Sequence, residues 1–367
     1  MTTAARPRLS GLTAYFLGLG STGFGGPIAL VGTMQRDLVE QRGWFSSDGF
    51  ARSLTMAQLA PGPLAAQLAF CLGYLHSRLR GAALVGIAFV LPSFLLTLIL
   101  GAAYLRFGGL PWLTAAFYGV APAVIGLIAV SAWRLARSNA GREPLLWAIV
   151  GLVAVATIWG GREPLWLIGL AGVAGMLPAL FRASRPGTTL SLALAPQLFV
   201  YFAKAGSFVF GSGLAIVPLL YAGVVTEHRW LTEREFLDAI AVAMLTPGPV
   251  VITAAFIGFL VAGLAGAGAA TVGVFLPAFL LTVGLFPLFD RFAGRPRVVG
   301  FVRGVTAAAA GAIAGASVVL GRRAIVDLPT ALLAVTALVV VARAKVPSGL
   351  VVLGGALAGL SLHCAGR

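Results

Sequence analysis

Residues 58–67 read QLAPGPLAAQ, and the reading of Pro61-Gly62-Pro63 within them decides the fold. Proline inside a helix removes a hydrogen bond and clashes with the preceding turn, so the tripeptide ends one helix and opens another. The apolar segments on either side, 48–60 and 64–76, are about thirteen residues each and reach ~20 Å at 1.5 Å per residue, against a hydrocarbon core of ~30 Å. Neither crosses a bilayer alone. Together they form either one broken span or a re-entrant hairpin that returns to the side it came from.

The surrounding chain is that of a membrane protein. Of 367 residues, 59% are hydrophobic and 10% charged, with a mean hydropathy of +0.98. Apolar runs of spanning length recur throughout, which makes the chain all-α and polytopic. The net charge of +15 comes from arginines scattered singly or in small groups between these runs, as loop charges beside anionic lipid are, so no nucleic acid is expected as a partner. Cys71 and Cys364 lie far apart and imply neither a disulfide framework nor a metal site. Arg6 and Arg8 precede an apolar run, but glycines interrupt it and an internal copy exists, which argues against a cleaved leader.

The chain is written twice. YFLGLGSTGFGG at 15–26 matches YFAKAGSFVFGS at 201–212, Trp44 meets Trp230, Phe50 meets Phe236, and Pro61-Gly62-Pro63 meets Pro247-Gly248-Pro249. One residue later in register, LPSFLLTL at 91–98 meets LPAFLLTV at 276–283. Two homologous halves, 1–181 and 196–367, are thus joined by a polar linker at 182–195. In the first half the apolar segments are 9–33, 48–60, 64–76, 81–105, 111–133, 145–160 and 164–181.

Loop charge chooses between the two readings of Pro-Gly-Pro. If the broken segment crosses, the halves are parallel and an N-in assignment puts 12 Lys/Arg inside and 13 outside, which is no bias. If it is a hairpin, each half has about five spans, the halves are inverted, and an N-out assignment puts 16 inside, Arg78 among them, against 9 outside, Lys204 being left aside in both counts because it lies within a span. The positive-inside rule prefers the hairpin and the inverted repeat.

The segment FGGPIALVGTMQRDLVEQRGWFSSDGFARSLTMAQLAPGPLAAQLAFCLGY, with a second copy ending MLTPGPVVITAAFIGF, resembles the chromate ion transporter family in its long-chain, two-domain form. The resemblance covers both halves through the FGGP, W-x5-F and APGP/TPGP elements. It implies export of chromate from the cytoplasm and chromate resistance, with sulfate as a chemical look-alike and the halves inserted in opposite orientations. The second half departs from the pattern, with Phe210-Gly211-Ser212-Gly213 for FGGP and Thr246 for Ala60.

Backbone unwound at membrane depth must face protein or a watery cavity, so the breaks are the candidate substrate site. Pro63 and Pro249 can open the returning half-helices, whose first N–H groups then point at the midplane. A helix N-terminus carries about +0.5 charge, so two of them offer an oxyanion about +1. Gly25 and Gly26 in the glycine-rich break, with Gly211 and Ser207 and Ser212 in its copy, repeat the logic by letting a ligand approach the backbone. Around the Pro61-Gly62-Pro63 and Pro247-Gly248-Pro249 tips, Gln58, Gln67, Thr246 and Thr253 are possible donors to oxyanion oxygens, or else ordinary interhelical bonds. Lys204 lies within a span where its repeat partner is Gly18; it is a site cation or a lysine snorkelling to the interface. Arg52 is a gate candidate at the cytoplasmic mouth, and Asp48/Arg52 and Arg234/Asp238 are expected as i,i+4 surface pairs.

All eleven Asp and Glu residues fall in loops or at segment ends, and no nucleotide-binding or hydrolase motif is present. The expected protein is a secondary transporter in the cell membrane, not an enzyme, with no cofactor or metal. Its partners are a chromate- or sulfate-like oxyanion and membrane lipid, with a homodimer left open. The competing readings are a sulfate uptake carrier or exchanger and, more remotely, a scaffold or membrane enzyme without transport.

Overall fold

The computed structural model describes residues 7–24, 26–107, 110–160, 194–209, 216–288, 296–344 and 346–365 of the protein. Among the described residues every regular element is helical. The first half contains α1 (Leu9–Thr22), α2 (Gly26–Gln35, continued by a π-helical turn Arg36–Gln41) and α3 (Ser47–Leu59). After Pro-Gly-Pro the helical run Leu64–Phe107 is bent sharply at Ser77 and Arg78, which divides it into α4 (64–76) and α5 (79–107). Then come α6 (Pro111–Ala140) and α7 (Pro144–Gly160).

The second half repeats the order with α8 (Leu194–Ser207), α9 (Ile216–Leu220, continued by a π-helical turn Tyr221–Glu227) and α10 (Glu233–Leu245). A run bent at Ala262 and Gly263 gives α11 (253–261) and α12 (264–285), followed by α13 (Pro296–Ala324), α14 (Leu328–Arg343) and α15 (Ser348–Ala365). The segment 164–181, expected to be a span, lies outside the described residues, as does the linker.

Pro-Gly-Pro makes a hairpin. A Cβ at Gly49, in the first turn of α3, would sit 3.3 Å from Leu75 Cδ2 at the end of α4. The two arms therefore open side by side at one end of the bundle, here the near end. There the chain turns again, with backbone angles that recur in the second half: φ 53°, ψ −141° at Arg78 and φ 59°, ψ −148° at Gly263. Glycine adopts that conformation cheaply, whereas at Arg78 the side chain makes it strained. Glycine pairs, Gly73 with Gly81 and Gly258 with Gly266, let the helices on either side of each turn touch backbone to backbone.

The segment 9–33 does not cross as expected. Tyr15 Oη donates to Asp37 Oδ2 at 3.3 Å, and the Tyr15 ring meets Trp44 edge-on at 6.3 Å between centroids. In one continuous helix residues 15 and 37 would be ~33 Å apart at 1.5 Å per residue. Glycines at the break, Gly26 with φ +79°, allow α2 to fold back along α1. The second copy does the same, with Tyr201 Oη donating to Leu219 O at 2.6 Å and its ring 5.6 Å from Trp230. Each half thus begins with two hairpins, one broken at glycines and one at Pro-Gly-Pro.

The two halves are inverted. His76 Nε2 lies 2.8 Å from Pro7 O, which puts Pro7 and the turn at Ser77–Arg78 at the near end. From there α5, 29 residues and ~43 Å long at 1.5 Å per residue, runs to the far end. At that end its Tyr104 Oη donates to Asp238 Oδ2 at 2.7 Å, near the open end of the α10–α11 hairpin. Reciprocally, the chain beyond α12 brings Phe286 to Tyr74 at the near end, 5.1 Å between centroids. The first half's hairpins open at the near end and the second half's at the far end. Because Pro7 shares its end with Arg78, the N-out reading with Arg78 inside does not hold.

The halves share one apolar core that runs from Leu12 through Ile128 and Phe202 to Val352. Helix α6 packs against α14 and α15 of the other half, and α13 against α7. Small residues let these helices approach closely: Gly119 packs on Gly355 and Gly359, and Gly311 on Val150.

Candidate functional site

Four chain breaks meet at the centre, and they bond across the halves. Gly62 N–H donates to Val209 O at 2.5 Å, and Gly248 N–H donates to Gly23 O at 2.8 Å. Each Pro-Gly-Pro thereby caps the glycine break of the opposite half, satisfying groups that lipid would leave unpaired. Gly62 and Gly248 sit at φ +142° and +94°. A Cβ on Gly62 would lie 2.6 Å from Ala278 Cβ, and one on Gly248 would lie 2.0 Å from Ser93 Oγ. Ser93 and Ala278 are the differing residues of LPSFLLT and LPAFLLT. Ser93, buried, donates to Pro247 O at 2.6 Å and so adds a bond that the other half lacks.

Pro63 and Pro249 precede the returning arms as expected. Gln67 N–H finds the Pro63 carbonyl at 2.9 Å, so the N–H groups of Leu64, Ala65 and Ala66 precede the first bond of α4. In the second half a 3-10 turn, Val250–Ile252, intervenes and Ile252 N–H already bonds Pro249 O at 3.0 Å. The first tip therefore leaves more backbone N–H groups outside the helical bonding than the second.

The side chains at the tips are largely committed. The Gln67 amide donates to Ala60 O at 3.1 Å and Pro61 O at 2.7 Å, which caps the end of α3. Among the described residues its Oε1 is buried without a partner, as are the hydroxyls of Thr97 and Thr282, which are repeat equivalents. Ser207 donates to Ala203 O, Thr246 to Ala243 O and Thr253 to Val250 O, each at 2.8 Å within its own turn. Those hydroxyl protons are already spent. Lys204 is exposed near the end of α8, on the same face as Val200, which is 62% exposed. Gly25, Gly211 and Ser212 lie outside the described residues.

Gln58 is different. It is exposed, and so are Asp48, Arg52 and Thr55 at helical spacing on the same face of α3, whereas α4 behind them is buried along almost its whole length. This polar strip runs along α3 from the near end towards Pro61. Exposed polar side chains beside a hairpin tip describe a path that water and an anion can follow. Arg52 also lies 5.6 Å over the Phe286 ring.

At the far end the equivalent face is shut. Asp238 is 3% exposed, and among the described residues it has no ion pair; the Arg234–Asp238 surface pair does not form. Asp238 turns inward to Tyr104 instead, so one carboxylate does lie inside the bundle, contrary to the sequence expectation. The sequence signal for it was the i,i+4 arginine, which pointed the other way.

Comparison with known proteins is consistent across the chain. The family described as Chromate transporter matches residues 11–176 and 196–360. A chromate transport protein of Cupriavidus metallidurans is 52% identical over 98% of this chain and 94% of its own length. A probable chromate transport protein of Synechococcus elongatus is 50% identical over 96% and 95%, and a chromate transport protein of Pseudomonas aeruginosa is 33% identical over 85% and 80%. No solved structure matches the chain. With two matched regions that fall one in each half of an inverted, multi-pass helical bundle, the protein belongs to the chromate transporter family.

Proposed function

We propose that the protein exports chromate from the cytoplasm through the inner hairpin tips, with the near end facing the cytoplasm. The orientation rests on arginine placement. Arg8, Arg36, Arg42, Arg52, Arg78, Arg80, Arg134, Arg137, Arg142, Arg303 and Arg343 belong to the near end, against Arg106, Arg229, Arg234, Arg322 and Arg323 at the far end. The observation that carries the reading is the exposed strip Asp48–Arg52–Thr55–Gln58, which leads along α3 from that basic end towards Pro61. A dianion drawn by Arg52 passes Gln58 and meets a half-helix carrying about +0.5 charge.

The site on this reading comprises Gln58, the tips at Pro61–Pro63 and Pro247–Pro249, the buried frame of Gln67, Thr246 and Thr253, and the glycine breaks with Gly25, Gly26, Ser207, Gly211 and Ser212. Lys204 supplies a further positive charge from α8. Leaving an inside-negative cell, a dianion gains about 4.6 kcal/mol per 100 mV, a factor of about 10³, so export needs no proton gradient to be downhill.

Uptake of radiolabelled chromate into inside-out vesicles, with sulfate as competitor, tests the proposal. We expect saturable uptake, and Lys204→Met to raise the half-saturating concentration about tenfold, as loss of one charge-assisted contact does. Uptake of sulfate that chromate does not inhibit would overturn the chromate assignment.

A further inference from the structure

A cavity of about 620 Å³ opens between the near-end turns of α6 and α14, far from the hairpin tips. Trp133, Arg134, Arg137 and Ser138 line it from α6, and Leu338 and Ala342 from α14. Its lower wall is apolar and its rim is basic. Arg134 donates to the Val341 carbonyl, which fixes its guanidinium at the rim, while Arg137 is exposed. Neither arginine has a carboxylate partner among the described residues: the nearby Glu143 is paired with Arg303. Trp133 is 57% exposed and packs on Trp147 at 5.6 Å between centroids. Exposed tryptophan at a helix end marks the level of the lipid headgroups.

The second half provides an internal contrast. Arg322 stands at the repeat position of Arg137, with Arg323 beside it, and Arg323 is neutralised by Glu233 at 3.5 Å. At the near end the pair of charges is kept without an acid, over a wall that fits an acyl chain.

We propose that this cavity is a binding site for an anionic phospholipid, with the headgroup phosphate held by Arg134 and Arg137 and an acyl chain laid over Leu338 and Ala342. A phosphate diester presents oxygens that two guanidinium groups can share, and basic pockets between spanning helices recognise such headgroups. A free anion would satisfy the arginines but leave the apolar wall and Trp133 uncovered. The site is independent of the transported ion.

Native mass spectrometry of the purified full-length protein, titrated with phosphatidylglycerol or phosphatidylcholine of matched chains, tests this. The expected preference for phosphatidylglycerol is about twenty-fivefold, about fivefold from each arginine. Arg137→Gln, which breaks no side-chain bond among the described residues, should lower the preference about fivefold; Arg134→Gln with Arg137→Gln should abolish it, and Arg322→Gln should leave it unchanged. Equal binding of the two lipids, or an unchanged preference in Arg137→Gln, overturns the proposal. Soluble glycerol phosphate binding as tightly as the lipid would make the cavity a plain anion site and overturn it equally.

Discussion

The two Pro-Gly-Pro hairpins have the same break and the same backbone turn after it, yet their outer faces are opposites. On α3 the exposed positions are Asp48, Arg52, Thr55 and Gln58; the equivalents on α10 are Arg234, Asp238, Ala241 and Met244, and the last three are buried. The difference lies in what covers them. Helix α10 packs against α6 and α15 and places its carboxylate on Tyr104, whereas α3 keeps a polar face. Inverted repeats thus supply a symmetric frame of helix ends, and the packing around each copy leaves one outer face polar and exposed and buries the other.

The frame itself should be the hardest part to change. Gly248→Ala adds a side chain at φ +94° and against Ser93 Oγ, so it should lower stability by about 3 kcal/mol or prevent insertion, from overpacking and backbone strain together. Removing Ser93 at the same time should recover part of the loss; thermal denaturation in detergent reads both. Equal stability of Gly248→Ala and the unaltered protein would break the picture of breaks that cap one another.

Transport should respond to one face and not the other. Arg52→Gln and Gln58→Leu should each reduce chromate uptake about tenfold at low concentration, the loss of a charge-assisted or specific hydrogen bond. Asp238→Ala should instead cost about 2 kcal/mol of stability by stranding the Tyr104 hydroxyl, with the half-saturating concentration unchanged. A large shift in that concentration for Asp238→Ala would place the far face in the path as well.

Two smaller changes sharpen the same comparison. Ser93→Ala makes the first half's LPSFLLT identical to LPAFLLT and should cost about 1 kcal/mol, one buried hydrogen bond. Thr97→Val and Thr282→Val remove buried hydroxyls that have no partner among the described residues, and should leave stability unchanged or raise it slightly in the same denaturation assay.

Much of this was written in the sequence. The repeat and the two short arms around Pro61–Pro63 left a broken span or a hairpin, since thirteen residues cannot cross alone, and loop charge preferred the hairpin. The segment 9–33 was misread for the same reason: its length suits a span, and glycines mark a bend without saying how far it turns. Only the long-range meeting of Tyr15 with Asp37 and Trp44 shows that it doubles back. Asp238 was hidden by a local rule, because an arginine four residues away is a plausible surface partner until the packing of α10 turns the carboxylate inward. The exposed strip on α3 was half legible, in Arg52 and Gln58; Thr55 joins it through helical spacing that matters only once α4 is known to cover the other side.

The most direct test of the open and shut faces uses single cysteines at Gln58 and Met244, in a background without Cys71 and Cys364. A membrane-impermeant thiol reagent should modify the Gln58→Cys protein in inside-out vesicles and not in right-side-out ones, and chromate should slow the reaction. The Met244→Cys protein should resist the reagent from both sides. Modification of Met244→Cys from the far side, or of Gln58→Cys only from that side, would contradict the account.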